Sequence, residues 1–174
     1  AVGARPLAIT NCLNFGNPKR PEVFFQFREA VGGMGDACTA LGTPVTGGNV
    51  SFYNESPISA VFPTPTIGMV GLIEHLEWVT RATFAAEGDA IVLLGNCTDD
   101  LGASEYLSRI HNLTIGAPPQ VDLDGEKRLI DALLEGIHGG HVRSAHDCSD
   151  GGLAVALAEC AMMDRDQSFG VDVD

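Results

Sequence analysis

Apolar and polar positions alternate along this chain in two rhythms. Residues 6–10 form a short apolar run that reads as a strand. A loop rich in Asn and Gly is expected after it, at residues 10–18. Pro21 suits the first turn of a helix, where its missing N–H costs nothing. Val23, Phe24, Phe27, Ala30, Val31, Met34, Ala37, Cys38 and Leu41 then recur every three to four residues, which predicts an amphipathic helix with Gly32 and Gly33 inside it and Gly42 as its C-terminal cap. Phe24, Phe25 and Phe27 read as core. Residues 44–46 feed a diglycine loop at Gly47 and Gly48. Residues 58–62 and 66–74 read as strands joined by a Pro-Thr-Pro connector.

Composition shifts near residues 81–88, which marks a domain boundary. Residues 89–94 read as a buried strand. Residues 104–110 form a short helix. Asp124 caps a helix that carries Leu129, Ile130, Leu133, Leu134 and Ile137 on one face. Residues 142–145 read as a strand running into His146-Asp147-Cys148-Ser149-Asp150-Gly151-Gly152. An apolar helix over residues 153–163 follows, capped by Ser149 or Asp150. The start of a further strand is expected at residues 171–174, so the second unit reads as cut short. The chain also begins without Met, which suggests a fragment or a processed product.

Charge and cysteine content narrow the function. Net charge is −13 over 174 residues. Arg5, Lys19, Arg20 and Arg28 stand against Glu22 and Glu29 within residues 1–35, so the acidity lies downstream. Nucleic-acid binding needs clustered Lys and Arg, and the chain lacks such clusters. A phosphate-bearing ligand would need Mg²⁺ or basic groups from elsewhere. Neither a transmembrane run of about 18 apolar residues nor the apolar core of a signal peptide is visible. Cys12, Cys38, Cys97, Cys148 and Cys160 are odd in number without a C-x-x-C pair, which fits reduced thiols in the cytoplasm.

Candidate chemistry collects at three places. In Thr46-Gly47-Gly48-Asn49-Val50-Ser51, two glycines let a backbone approach a ligand. The Asn49 oxygen can join a Mg²⁺ shell and the Ser51 hydroxyl can bond a substrate oxygen. A β-turn with polar flanks explains the same residues. Asn11, Asn14 and Asn17 can serve a ligand or satisfy their own backbone in Asx-turns. His146 to Gly152 can form an anion site at a helix start, or a capped start packed closely through Gly151 and Gly152. His138, His141 and His146 raise a zinc reading, but the His-Gly-Gly-His spacing is too flexible to imply it. Cys148 reads as a small buried residue.

Four segments in order carry a resemblance: residues 10–18 (TNCLNFGNP), 40–55 (ALGTPVTGGNVSFYNE), 63–71 (PTPTIGMVG) and 146–159 (HDCSDGGLAVALAE). Together they are similar to the synthetase subunit of phosphoribosylformylglycinamidine synthase. The resemblance implies an α/β (α+β) fold of the aminoimidazole ribonucleotide synthase-like superfamily. Residues 1–86 would be the later part of a ferredoxin-like sheet domain in the second of two copies, and residues 87–174 the beginning of the following α/β domain.

The implied activity is that of an ATP-dependent carbon–nitrogen ligase of purine biosynthesis. It joins N-formylglycinamide ribonucleotide and ammonia, which a glutaminase subunit or domain releases from glutamine. The implied roles are ATP binding at Asn11 and Gly48, Mg²⁺ binding at Asn49 and substrate binding at Ser51. Many family members have an acid at the position of Asn11; the amide keeps hydrogen bonding but not charge. The resemblance places the catalytic histidine, the ATP-contacting lysine and the metal-binding acids on the other half of such a subunit. No catalytic residue is therefore expected here, and the isolated fragment is expected to be inactive and prone to self-association. A non-catalytic assembly module is the alternative from another class. Aminoimidazole ribonucleotide synthase and selenophosphate synthetase share the fold and fit the motifs less well.

Overall fold

A computed structural model describes every residue except Asn96, Cys97, Asp99 and Asp174. The chain is mixed α/β and divides into two compact units, Arg5–Leu72 and Ala1–Ala4 with Ile73–Asp174. Four basic and four acidic side chains balance in the first unit (Arg5, Lys19, Arg20 and Arg28 against Glu22, Glu29, Asp36 and Glu55), so the whole net charge of −13 lies on the other.

The unit Arg5–Leu72 is a three-stranded sheet with one helix. Strand β1 (Arg5–Asn14) lies in the middle. Strand β2 (Val45–Ser51) pairs with it in parallel, and β3 (Thr64–Leu72) pairs antiparallel on the other side. Parallel neighbours need a crossover, and helix α1 (Pro21–Leu41) supplies it. Helix α1 starts at Pro21 and ends where Gly42, at φ +67°, donates its N–H to the Cys38 carbonyl. Gly32 and Gly33 sit inside the helix without breaking it.

The helix covers one sheet face through Val23, Phe27, Ala30 and Met34, which pack on Leu13, Phe15 and Phe52. Phe15 is 1% exposed, and its ring meets Phe27 edge-on at 5.4 Å. Phe24 and Phe25 do not join this core: they lie on the outer side of α1, 53% and 56% exposed. Helical geometry puts Val23 and Phe27 on one face, four residues apart, and turns the two intervening rings away.

Two expected loops are strands. Residues 10–14 continue β1, and Gly47 and Gly48 lie within β2. Conversely, residues 58–62 form no strand; only Ala60 makes a bridge, to Glu55. Ser56 Oγ accepts from the N–H groups of Ile58 and Ser59, and this hydroxyl-closed turn competes with extended pairing.

The unit Ala1–Ala4 with Ile73–Asp174 is mostly helical. A 3₁₀ turn (Leu76–Trp78) precedes α2 (Glu105–His111), α3 (Leu123–His138) and α4 (Gly152–Met162). Ser104 caps α2. Asp122, rather than Asp124, caps α3 by accepting from Gly125 N at 2.9 Å, while Asp124 stands in the first turn. The indole of Trp78 stacks on His138 at 3.9 Å and meets His75 edge-on at 4.4 Å. Gly3 lies against the Trp78 carbonyl so closely that a Cβ there would collide with it.

Residues 89–94 form no strand ladder among the described residues. Asp89 instead closes a turn: its carboxylate accepts from Ala86 N at 3.1 Å and from Arg143 at 2.6 Å. Residues 142–145 contribute one bridge, Arg81 to Ser144, and no strand. Residues 171–173 are not extended into a strand, and Asp174 lies outside the described residues. Of the cysteines, Cys12, Cys38, Cys148 and Cys160 are free, and Cys97 lies outside the described residues. Cys148 is exposed rather than buried; Cys160 is the buried thiol, and burial pushes its pKa up. No helix among the described residues is long and apolar enough to cross a membrane.

The sheet–helix core makes Phe15 the critical side chain of its unit. Phe15→Ala is expected to destabilise that unit by roughly 3–5 kcal/mol, read as a lowered midpoint in chemical denaturation.

Candidate functional site

The register between β1 and β2 decides which polar groups share a surface. It shifts by one residue between Ile9 and Thr10; from there Thr10 pairs Gly47, Asn11 pairs Gly48, Cys12 pairs Asn49 and Asn14 pairs Ser51. Side chains alternate across a strand and cross-strand partners share a face. Ile9 and Leu13 are buried on the helix side, so Thr10, Cys12 and Asn14 take the other side. That open face continues through Asn49 and Ser51 on β2 and through Thr64, Thr66 and Gly68 on β3. It is neutral and built of hydroxyls, amides, one thiol and glycine.

The four sequence-predicted positions therefore fall into two pairs. Asn11 and Gly48 meet across the strands: Gly48 has a φ of +150°, and a Cβ there would collide with the Asn11 side-chain and main-chain oxygens. This is a close approach that only glycine permits. Gly47, one residue earlier, has open space around it. Asn49 and Ser51 lie on the open face. The Asn49 side chain is exposed and makes no hydrogen bond among the described residues.

Ser51 is tied to Asn54. The Asn54 amide nitrogen donates to the main-chain oxygens of Phe15 (3.1 Å) and Ser51 (2.9 Å). With Ser51 Oγ also 3.2 Å away, three acceptors share its two protons. The Ser51 hydroxyl is thus held by both ends of one amide, within reach to donate to Asn54 Oδ1 and to accept from Asn54 Nδ2. Around this clasp Phe15 N donates to Ser51 O, Tyr53 N to Gly16 O, and Asn17 N to Glu55 Oε1 at 2.7 Å. The segments after β1 and after β2 are thereby locked to each other. Tyr53 holds a φ of +60° within this clasp.

Reading residues 10–18 as a loop hid Cys12, Asn14, Thr64 and Thr66 as members of the face. The signal was there in the period-two contrast of Thr10, Cys12 and Asn14 with Ile9 and Leu13.

The third candidate place belongs to the other unit. Helix α4 starts at Gly151 (φ +90°) with no side-chain cap, so neither Ser149 nor Asp150 plays that part. Ser149 instead donates its hydroxyl to the Asp147 carboxylate. That hydrogen bond, with one from the Asp147 backbone and the nearby His146, holds the carboxylate below its usual range. A persistent negative charge before the helix start opposes a bare anion there. His146 lies between the Asp147 carbonyl (2.6 Å) and the Glu159 carboxylate (3.3 Å). Among the described residues no three His, Cys, Asp or Glu groups converge as a metal set.

Comparison with known proteins places the chain. The profile of the AIR synthase related protein N-terminal domain matches residues 1–73, and that of its C-terminal domain matches residues 86–174. The chain belongs to the AIR synthase related family. Within that family it is similar to the phosphoribosylformylglycinamidine synthase subunit PurL of Symbiobacterium thermophilum, 56% identical over 99% of this chain and 22% of that subunit. The PurL subunit of Moorella thermoacetica is 55% identical over 92% of this chain and 22% of its own length. A solved structure of Thermotoga maritima PurL complexed with ATP aligns with a TM-score of 0.63 and 25% identity, covering 94% of this chain and 24% of that one. The chain thus spans about a fifth of the length of these curated relatives.

Two outcomes follow for this AIR synthase related chain. Gly48→Ala is expected to cost about 1–3 kcal/mol through the clash with Asn11, while Gly47→Ala stays within about 1 kcal/mol of the parent; denaturation midpoints decide between them. Because the Asp147 value is depressed on folding, its stabilising contribution is present above the unfolded carboxylate range and is lost as acid protonates the group. Ser149→Ala should raise the Asp147 titration midpoint towards the ordinary 3.8, followed by carboxyl NMR.

Proposed function

We propose that this chain is a segment of a synthetase subunit that makes formylglycinamidine ribonucleotide in de novo purine biosynthesis. One observation carries the reading: relatives bearing that name match nearly the whole chain at more than half identity. In the proposed reaction the formyl-amide oxygen of the substrate attacks the γ-phosphorus of ATP and ADP leaves. Ammonia then adds to the activated carbon and inorganic phosphate departs. Glutamine, hydrolysed by a glutaminase subunit or domain, is the nitrogen source. Such chemistry rests on positioning and on neutralising the transferred phosphoryl group.

The sheet divides the proposed roles: Asn49 and Ser51 lie on the open face, while Asn11 falls with Ile9 and Leu13 on the other, beside Gly48 on the β2 edge. Main chain at Gly47 and Gly48 is exposed on an edge strand, which lets phosphate oxygens approach backbone amides. Asn11 and Gly48, in contact, form the nucleotide-side pair. Asn49 offers an uncommitted amide oxygen of the hard, neutral kind that suits Mg²⁺, which prefers oxygen ligands and keeps several from water and phosphate. When bound, Mg²⁺ would neutralise charge on the transferring phosphoryl group. Ser51, held by the Asn54 amide, offers its hydroxyl to the substrate.

The charge distribution supports a shared site. The unit carrying this face is electrically neutral, and a nucleotide triphosphate needs cations that its open face lacks. Lys, His and carboxylate groups from polypeptide outside this segment complete the site, so the isolated segment is inactive. We assign residues 1–86 to the sheet domain and 87–174 to the start of the next domain, place the protein in the cytoplasm, and expect the exposed edges of β2 and β3 to favour self-association.

The test uses a chain of the relatives' full length carrying this segment. Asn49→Ala should lower kcat/KM for Mg-ATP on the order of a hundredfold, and Ser51→Ala should raise KM for formylglycinamide ribonucleotide about tenfold, both with unchanged circular dichroism. Parental kinetics in both variants would remove the assignment.

A further inference from the structure

Asn14 ends the middle strand on the open face, between Ser51 on β2 and Thr64 on β3. Its amide nitrogen donates to the Thr64 carbonyl at 3.4 Å and towards Cys12 Sγ at 3.5 Å. A main-chain carbonyl only accepts, so this contact fixes which end of the amide is nitrogen. Strand order is β2, β1, β3. The nitrogen is engaged by β3 and by Cys12, which leaves Oδ1 as the free end of the amide, and Ser51 is the cross-strand neighbour on β2. Oδ1 has no hydrogen-bond partner among the described residues. Adjacent strands lie about 4.8 Å apart, so a ligand atom touching Ser51 Oγ is within reach of Asn14 Oδ1.

Ser51 Oγ lies 3.2 Å from both Asn54 Oδ1 and Asn54 Nδ2, and a hydroxyl has acceptor lone pairs in either arrangement, so it can accept beside the Asn14 oxygen. Asn49 on the same face also has an amide oxygen to offer. The unpartnered Asn14 oxygen, on a face without a cation, matches a ligand part that donates hydrogen bonds. A bare phosphate, which only accepts, would meet a like dipole there.

We propose that Asn14 is a substrate-positioning residue that, paired with Ser51, accepts hydrogen bonds from the N–H or hydroxyl donors of the substrate rather than binding its phosphate. This rests on the reading of the open face as a substrate surface given above. Asn14 holds the donor-bearing part of the molecule along the sheet, and the phosphate is left to basic groups outside this segment.

The experiment again uses a chain of the relatives' full length. Asn14→Ala, and Asn14→Thr as a strand-compatible second variant, are compared with the parent by steady-state kinetics. The expected result is a five- to tenfold rise in KM for formylglycinamide ribonucleotide with KM for ATP unchanged. A substrate analogue lacking the ribose hydroxyls and one with the amide nitrogen methylated are then compared in the parent and in Asn14→Ala. One analogue should lose about as much as the mutation does, and the two losses should not add. If Ser51→Ala and Asn49→Ala impair the enzyme while both Asn14 variants keep the parental KM, the inference fails and the reading of the face stands. If all three positions tolerate substitution, both fail. Fully additive losses with both analogues would also overturn the inference, because Asn14 would then act on the fold and not on the donor.

Discussion

Parallel pairing of β1 with β2, offset by one residue at Ile9, governs everything the chain offers a ligand. A strand shows alternate side chains to opposite faces, so a slip of one position would send Asn49 and Ser51 under helix α1 and bring Val50 to the open side. Three devices hold the register. Leu13 and Phe15 are buried against α1. Gly48 admits Asn11 at a distance that any side chain would forbid. Beyond the strands, the Asn54 amide bonds to the main chain of both Phe15 and Ser51.

The packed side and the polar side of this sheet do different work. On the α1 side a few large side chains supply the stabilising burial. On the other side no large apolar residue is needed, which frees β1 and β2 to carry amides and hydroxyls. The chemistry of that surface is set less by residue type than by which protons are already committed. Asn14 could donate in isolation; in the fold its nitrogen is engaged by Thr64 and Cys12, and its oxygen is left to accept. A neutral surface without a cation and a strongly acidic second unit both disfavour a bare anionic phosphate.

Helix α1 was legible in the sequence because its apolar spacing, Pro21 and Gly42 all agreed with the folded form. The GGNVS segment was expected as a loop, and its setting was misjudged. Gly and Asn are turn formers by local preference, and here tertiary pairing overrides that preference and draws Thr10 to Asn14 and Gly47 to Ser51 into strands. Residues 58–62 failed the other way, since β-prone side chains there are overruled by the turn at Ser56. Residues 91–94 have the composition of a buried strand but no pairing partner among the described residues, and a strand is a property of a pair. The cap at Asp124 was misplaced because Asp122 and Asp124 compete for one position, and the cap at Ser149 because α4 starts at Gly151 with no side-chain cap.

The most direct test of the account is a crystal structure of the full-length chain with formylglycinamide ribonucleotide, Mg²⁺ and a non-hydrolysable ATP analogue. The account predicts substrate lying along the face of Asn14, Asn49 and Ser51, with N–H or hydroxyl groups within hydrogen-bond distance of Asn14 Oδ1 and Ser51 Oγ and the metal beside Asn49. Substrate on the α1 side of the sheet, or phosphate seated against Asn14, would contradict it.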